Sequence, residues 1–172
     1  MIIGVMSDTH GNRKLMHHVA DRMVDEFGAE LIYHAGDNYG DAEELGYSGV
    51  PVRKVPGLWC DEYHEAHIPN EWREVHAGLP FACVHVREEL SPEGRKAAII
   101  IYGHTHAPAI EQVNGSLWLN PGHLKRPQDR GHEASFAMLN LGPQEVAVRV
   151  HGVDGAIRVQ RAIPRGALAA AP

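Results

Sequence analysis

The sequence predicts an α/β fold, and three observations carry that prediction. Short apolar runs at residues 2–6 and 31–34 bracket a stretch, 13–27, whose apolar side chains recur at helical spacing. Each run ends in a polar, glycine-containing loop, Ser7-Asp8-Thr9-His10-Gly11-Asn12 and Ala35-Gly36-Asp37-Asn38. Strand, loop, helix, strand, loop is the rhythm of a parallel sheet, and right-handed crossovers bring such loops to one edge. A third apolar run, Ala97-Ala98-Ile99-Ile100-Ile101, leads into Tyr102-Gly103-His104-Thr105-His106, a buried strand that ends in two histidines. Ligand sites of α/β proteins collect at such carboxyl ends.

Within 13–27, Leu15, Val19, Met23 and Phe27 share one helical face, with Asn12 placed as N-cap and Gly28 as C-terminal stop. A short acidic helix is expected over 41–45 and a third strand over 51–55, followed by Pro56-Gly57-Leu58-Trp59-Cys60-Asp61. Residues 72–76 and 79–85, joined by Ala77-Gly78, read as a hairpin ending at His85, and 91–95 as a helical turn. Beyond the histidine loop the chain is strand-rich. Residues 109–113 and 117–119 flank Asn114-Gly115, a hairpin signal, and strands follow at 136–141, 146–150 and 156–159. Val153-Asp154-Gly155 supplies the last turn. Residues 1–165 read as a single domain and 166–172 as a frayed tail.

A chain of 172 residues with 44% apolar content suits one domain with its own core. Its 13 histidines exceed common usage and point towards metal or acid–base chemistry. The net charge of −6 is unevenly spread: residues 1–86 carry six basic and 14 acidic side chains, residues 87–172 ten and eight. That balance argues against nucleic-acid binding, which needs a basic face, and suits a protein whose carboxylates are offset by cations. Two cysteines, Cys60 and Cys83, do not make a disulfide scaffold. The opening apolar run is too short for a signal peptide or span, and no segment reaches about 18 uninterrupted apolar residues. No membrane association and a cytoplasmic location are therefore expected; homo-oligomerisation is left open.

Four post-strand loops supply two carboxylates and four imidazoles: Asp8 and His10, Asp37, His85, and His104 with His106. Mixed oxygen and nitrogen donors suit Mn, Fe, Zn, Co or Ni ions better than calcium or magnesium. Six side chains exceed what one catalytic ion needs. They suffice for two ions roughly 3.5–4 Å apart that share a bridging carboxylate and clamp a phosphoryl group.

In order and spacing, Asp8-x-His10, Gly36-Asp37, His85 and Gly103-His104-x-His106 resemble the calcineurin-like metallophosphoesterase superfamily. Ser7 to Asn12 and Asn120-Pro121-Gly122 are similar to its small single-domain bacterial and archaeal phosphodiesterases, and the resemblance runs to about Leu141. It implies a four-layer sandwich of two packed mixed sheets flanked by helices. It also implies two divalent transition-metal ions: Asp8, His10 and His106 hold one, Asp37 bridges, and His85 and His104 hold the second. A metal-bound hydroxide would then attack phosphorus in line. Asp37, His85 and His123 are the candidate catalytic side chains. His123 stands where the family often has Ser, and is a candidate proton donor to the leaving group. Asn12, Asn38 and Arg126 are candidates for binding substrate, Arg126 through its phosphate.

The third family motif departs from pattern. Gly57-Leu58-Trp59-Cys60-Asp61 is one residue longer and lacks the Asn that binds the second ion. Cys60 or Asp61 substitutes, or water does, or the second site is weak. Single histidines elsewhere (His17, His18, His64, His67, His76, His132, His151) read as surface or satisfied core, and His34 as a supporting group rather than a ligand. Cys83 reads as a packed strand residue, and Trp59 as packing in preference to stacking on a base or aryl group. The expected activity is hydrolysis of a small-molecule phosphate ester, diesters before monoesters because no dense Arg/Lys clamp for a dianion is present. The alternative is a non-catalytic binding scaffold with a degraded second metal site, since some superfamily members, such as the retromer subunit of that fold, are interaction modules.

Overall fold

The alternation along the first strand, β1 (Ile2–Met6), sets the layering. Ile3 and Val5 point into a core between two sheets, while Met6 points to the opposite face, against a helix. The computed structural model describes residues 1–168. After β1 come α1 (Arg13–Asp21), β2 (Leu31–His34), α2 (Tyr39–Glu43), β3 (Val52–Lys54), β4 (Glu71–His76), β5 (Leu79–Val84), β6 (Ile99–Tyr102), β7 (Ala109–Val113) and β8 (Ser116–Asn120). A two-residue pair, β9 (Gln128–Asp129) and β10 (His132–Glu133), precedes β11 (Ser135–Leu141), β12 (Glu145–Gly152) and β13 (Ile157–Pro164).

The strands form two mixed sheets. One has six strands in the order β13-β12-β11-β1-β2-β3, the other five in the order β4-β5-β6-β8-β7. The pairs β1–β2, β2–β3, β5–β6 and β6–β8 are parallel. Between the sheets, Ile3, Val5, Leu139, Val148 and Val150 meet Phe81, Ile99, Ile101, Leu117 and Leu119. Each such burial contributes about 1.5–3 kcal/mol. Met16, Val19, Ala20 and Met23 close over the outer face of the six-stranded sheet against Met6, Ile32, Phe136 and Met138. On the five-stranded sheet the outer face, with Ile100, Tyr102 and Trp118, is covered by Leu90, Ala97 and two short turns at Arg87–Glu89 and Gly94–Lys96. The fourth layer of the expected sandwich is therefore loop and turn rather than helix.

Several boundaries differ from expectation for physical reasons. The α1 helix starts on its cap, with the Asn12 side chain accepting from the Leu15 N–H, but regular winding stops at Asp21. The next turn widens, the Phe27 N–H reaching the Arg22 carbonyl five residues back, and left-handed Gly28 ends it. The second helix begins two residues earlier than expected and runs into a tighter turn, Glu44–Ser48. The β9–β10 hairpin was not anticipated because two-residue strands carry no periodic signal; left-handed Arg130-Gly131 forms its turn. The last strand is twice the expected length, since its largely exposed edge position lets polar residues continue it. The predicted tail is described only to Leu168. Ala167 still accepts from Gln112, and Leu168 packs into the inter-sheet core; residues 169–172 lie outside the described residues. Among the described residues no helix is long and apolar enough to cross a membrane.

Candidate metal centre

Parallel pairing points the carboxyl ends of β1 and β2 the same way in one sheet, and those of β5 and β6 the same way in the other. The four loops that follow them interlock. The Asp8 N–H donates to the Gly36 carbonyl at 2.7 Å, and the His10 N–H to the Asp37 carbonyl at 3.1 Å. The Gly103 N–H donates to the His85 carbonyl at 3.0 Å, and the His104 N–H crosses between sheets to Asp8 Oδ2 at 3.0 Å. Such contact demands small residues. A Cβ on Gly103 would sit 2.1 Å from Ser7 Oγ, and one on Gly57 1.4 Å from Asp37 Oδ1.

This interlocking gathers the side chains into two overlapping groups. Asp8, His10 and His106 bring ligand atoms within 4.8 Å of one another, and so do Asp8, Asp37 and His85. His106 Nε2 lies 3.2 Å from both Asp8 Oδ1 and His10 Nε2. Asp37 Oδ2 stands between the groups, 3.7 Å from His10 Nε2 and 3.4 Å from His85 Nε2. The first group is the trio that the family resemblance implies for one ion. In the second, Asp8 takes the place expected of His104, whose half-buried ring stands edge-on to His85 with centroids 5.2 Å apart.

Hydrogen bonds set the imidazoles in the form a metal accepts. His85 Nδ1–H donates to the Ala35 carbonyl at 2.8 Å and His106 Nδ1–H to Asp129 Oδ2 at 2.5 Å, so both Nε2 lone pairs face the cluster. Burial lowers the His10 pKa against the pull of Asp37 and Asp8, which keeps this imidazole neutral. Burial alone would raise the Asp37 carboxyl, but His85, His10 and His104 outweigh it and hold it below the usual carboxylate range. Burial alone would lower the His85 pKa, but Asp37 and Asp8 outweigh it and raise it, so an ion there would compete with a proton. Neutral imidazole and ionised carboxylate are the ligand states.

Two further observations test the fit to a metal. Asp8 Oδ1 and His85 Nε2 are buried with no hydrogen-bond partner among the described residues, and both point into the cluster. Orphaned polar atoms of this kind call for a ligand. Asp8, His10, Asp37, His104 and His106 also all adopt left-handed backbone, with φ between 29° and 67°. That costs of order 1 kcal/mol each for such residues, and strain of this kind collects at functional sites.

The other candidates are distributed differently. Asn12 is committed, its Oδ1 to the helix start and its Nδ2 to the Lys125 carbonyl at 3.1 Å, so it supports the loops rather than meeting substrate. Asn38 is exposed at the mouth. Of the candidate ligands Cys60 approaches Asp37, its Sγ 3.9 Å from Oδ1, and burial raises its pKa, so it is a thiol outside both groups; Asp61 is exposed. Arg126 turns its Nε and Nη2 onto the far side of Asp129 instead of into the cluster. His123 is fully buried beside His106, its Nε2–H donated to the His132 carbonyl at 3.1 Å and its Nδ1 without a hydrogen-bond partner among the described residues, and burial lowers its pKa. An imidazole so placed does not protonate a leaving group, which corrects the expectation for it. Trp59 is corrected too: it is 86% exposed, not packed.

Three buried polar side chains support the site and were missed. Asp129 aligns His106. Asp41 holds the first loop, accepting from Thr9 Oγ1 at 2.7 Å, the Gly11 N–H at 2.8 Å and Arg13 Nε at 3.0 Å. Asn120 Nδ2 donates to the Gly103 carbonyl at 2.9 Å, and its place in Asn120-Pro121-Gly122 was the one available signal.

Comparison with known proteins identifies the family and the fold. A family described as calcineurin-like phosphoesterase superfamily domain matches residues 1–143. A protein of Methanothermobacter thermautotrophicus named probable metallophosphoesterase is 32% identical over 143 residues, covering 74% of this chain and 80% of that one. Yfce, a phosphoesterase from E. coli, superposes with a TM-score of 0.72 at 23% identity over 95% of this chain and 100% of its own. Vacuolar Protein Sorting 29 from Cryptosporidium parvum superposes at 0.71 with 16% identity, over 95% and 97% of the two chains, a likeness of fold alone.

Proposed function

The chain belongs to the calcineurin-like phosphoesterase superfamily, and from that premise we propose that it is a phosphodiesterase with a two-ion centre where the two sheets meet. It is a metallophosphoesterase, a hydrolase acting on phosphate ester bonds. The observation that carries the finer reading is the pair of ligand groups that overlap at Asp8, with Asp37 of the second group 3.7 Å from His10 of the first.

Asp8, His10 and His106 would hold one ion, and Asp37 with His85 would hold the second, with Asp8 within reach of both and His104 beside His85. Divalent ions bound there supply an acidified water and a positive field for the phosphoryl oxygens. The chain's own residues do the positioning. Asp37 Oδ2, between His10 and His85, fixes the spacing of the two halves. The Ala35 carbonyl and Asp129 keep His85 and His106 in the required tautomer. In hydrolysis the water oxygen bonds to phosphorus, the ester P–O bond breaks, and the departing alcohol leaves with a proton. With His123 removed from that role, the proton comes from solvent, which favours good leaving groups.

Diesters are favoured over monoesters because the nearby cations are engaged. Arg126 and Arg130 direct their guanidinium groups onto Asp129 and, for Arg130, the His104 carbonyl at 2.8 Å, with Lys125 3.9 Å from the same carboxylate. Their charge is not neutralised, but these contacts commit them to Asp129 instead of forming a clamp for a dianion. The test is turnover of bis(p-nitrophenyl) phosphate and p-nitrophenyl phosphate with Mn, Zn, Fe, Co or Ni, alongside metal analysis. The expected result is two ions per chain and diester kcat/KM at least tenfold higher. Preference for the monoester overturns the diester reading. Folded, metal-loaded protein with no turnover favours the scaffold reading, which the missing Asn of the third motif keeps in view.

A further inference from the structure

The loop carrying Trp59 is pinned to the metal centre on both sides of the indole. Before it, Gly57 lies so close to Asp37 that no Cβ fits; after it, the Cys60 thiol contacts the same carboxylate, and the Cys60 N–H closes the turn onto the Gly57 carbonyl at 3.1 Å. The Trp59 backbone is thus held at a fixed offset from Asp37, while its side chain stands 86% exposed. The other two tryptophans are packed: Trp118 is 7% exposed, and Trp72 lies against the inter-sheet core.

Trp59 lines a crevice of about 290 Å³ together with Asn38, Tyr39 and Cys60, and Cys60 connects it to the centre through its contact with Asp37. Its polar lining is acidic, with Asp41, Asp61 and Glu62. The one cation there, Arg13, is bound to Asp41 at 3.0 Å and Glu44 at 2.6 Å. A second phosphate is repelled from such a crevice. A planar aromatic ring is not: it stacks on the indole, and its N–H or O–H groups find carboxylate acceptors.

We propose that Trp59 is a stacking platform for a planar aromatic group on one ester arm of the substrate, a nucleobase or an aryl ring, while the phosphodiester lies over Asp37. This deepens the phosphodiesterase reading and rests on it for the reaction, but not for binding. Stacking on an aromatic side chain is a sequence-tolerant interaction, and its loss weakens binding about tenfold or more.

Two measurements test it. In chelator-treated protein, adenosine, thymidine and p-nitrophenol are titrated against tryptophan fluorescence in wild type, Trp59→Leu and Trp59→Phe, with ribose as control. Saturable quenching by at least one aromatic probe, lost in Trp59→Leu and partly kept in Trp59→Phe, supports the platform whether or not the protein hydrolyses diesters. Quenching that is absent in wild type, or persists in Trp59→Leu, overturns it. In the metal-loaded enzyme, Trp59→Leu lowers kcat/KM about tenfold through KM. Loss on thymidine 5′-p-nitrophenyl phosphate alone assigns the platform to the base. Equal loss on methyl p-nitrophenyl phosphate assigns it to the aryl group. Unchanged kinetics on both esters, with or without a change in self-association by size exclusion, overturns the substrate role.

Discussion

Asp129 turns His106 from a flexible imidazole into an oriented one. Burial alone would raise its carboxyl, but hydrogen bonds from Arg126 and His106, with Lys125 close by, hold it far below the usual carboxylate range. An anionic acceptor on Nδ1 makes Nε2 a better donor to a metal. Asp129→Ala should weaken binding at the Asp8–His10–His106 group about 10–100-fold, read by competition with a chelator. Asp129→Asn, which keeps an acceptor without the charge, should fall between. A proposed ligand should do more: Asp37→Asn should exceed a 100-fold loss of kcat/KM, beyond the usual range for supporting residues. His34 gives a pH prediction in metal-free protein. Its ring is fully buried, and burial lowers its pKa to about 4 against the opposing pull of Asp8 and Asp41. Above pH 6.5 neither folded nor unfolded protein carries this proton, so His34 does not affect stability there. As pH falls from about 6.5 to about 4 the unfolded chain takes up the proton and the folded chain does not, and stability drops by up to about 3 kcal/mol. Urea midpoints should decline across that window and decline less in His34→Gln; an equal decline in both removes His34 as the cause. At this scale five of the six motif side chains singled out in the sequence fall in the two ligand groups, because such motifs restrict residue type and spacing, while His104 stands outside them. Asp129 is not legible in the sequence, since nothing in Pro127-Gln128-Asp129 signals a partner 23 residues earlier.

The elements bring these residues together by ending together, and the junctions are tighter than the strands. Where β6 runs out against β1, a Cβ at Gly103 would stand 2.1 Å from Ser7 Oγ and 2.8 Å from both the Ala35 carbonyl oxygen and Asp8 Oδ2. Two of these neighbours are backbone or ligand atoms without room to move. Gly103→Ala should therefore cost about 1–3 kcal/mol, the range for overpacking, and also weaken metal binding. Denaturant midpoints and metal stoichiometry check both; an unchanged metal content would show that the loops yield without disturbing Asp8. Elements with strong local patterns are legible in the sequence: β1 and β2 as apolar runs, the α1 face, and the Asn114-Gly115 turn with both residues left-handed. Elements defined by tertiary placement are not. β13 reads as mostly polar because its side chains are largely exposed, and the loop around Trp59 is organised by Asp37 rather than by its own sequence. Trp59 shows the same limit for burial: aromatic character favours packing, yet this indole, on a backbone pinned to Asp37, stands in solvent.

Across the whole molecule the candidate ligands divide evenly between the sheets. Asp8, His10 and Asp37 follow strands of the six-stranded sheet, and His85, His104 and His106 follow strands of the other. Bound ions would therefore tie the open end of the sandwich, where neighbouring Asp8 and Asp37 carboxylates otherwise repel. The rest of the sandwich does not need that tie. Ile3, Val5, Phe81, Ile99, Ile101, Leu119 and Val148 are essentially fully buried between the sheets and hold them without the ions. Removing metal should leave a folded but less stable protein. A ligand that binds only the native state stabilises it by RT ln(1 + [L]/Kd), about 2.7 kcal/mol at one hundred times Kd. For a chain of this size that corresponds to a rise in Tm of roughly 5–10 °C. Calorimetry of chelator-treated and manganese- or zinc-loaded protein should show that rise, and Asp37→Asn, which removes the shared carboxylate, should abolish most of it. A full-sized rise in Asp37→Asn would mean that ion binding does not depend on Asp37 and that the two ligand groups do not work as one centre.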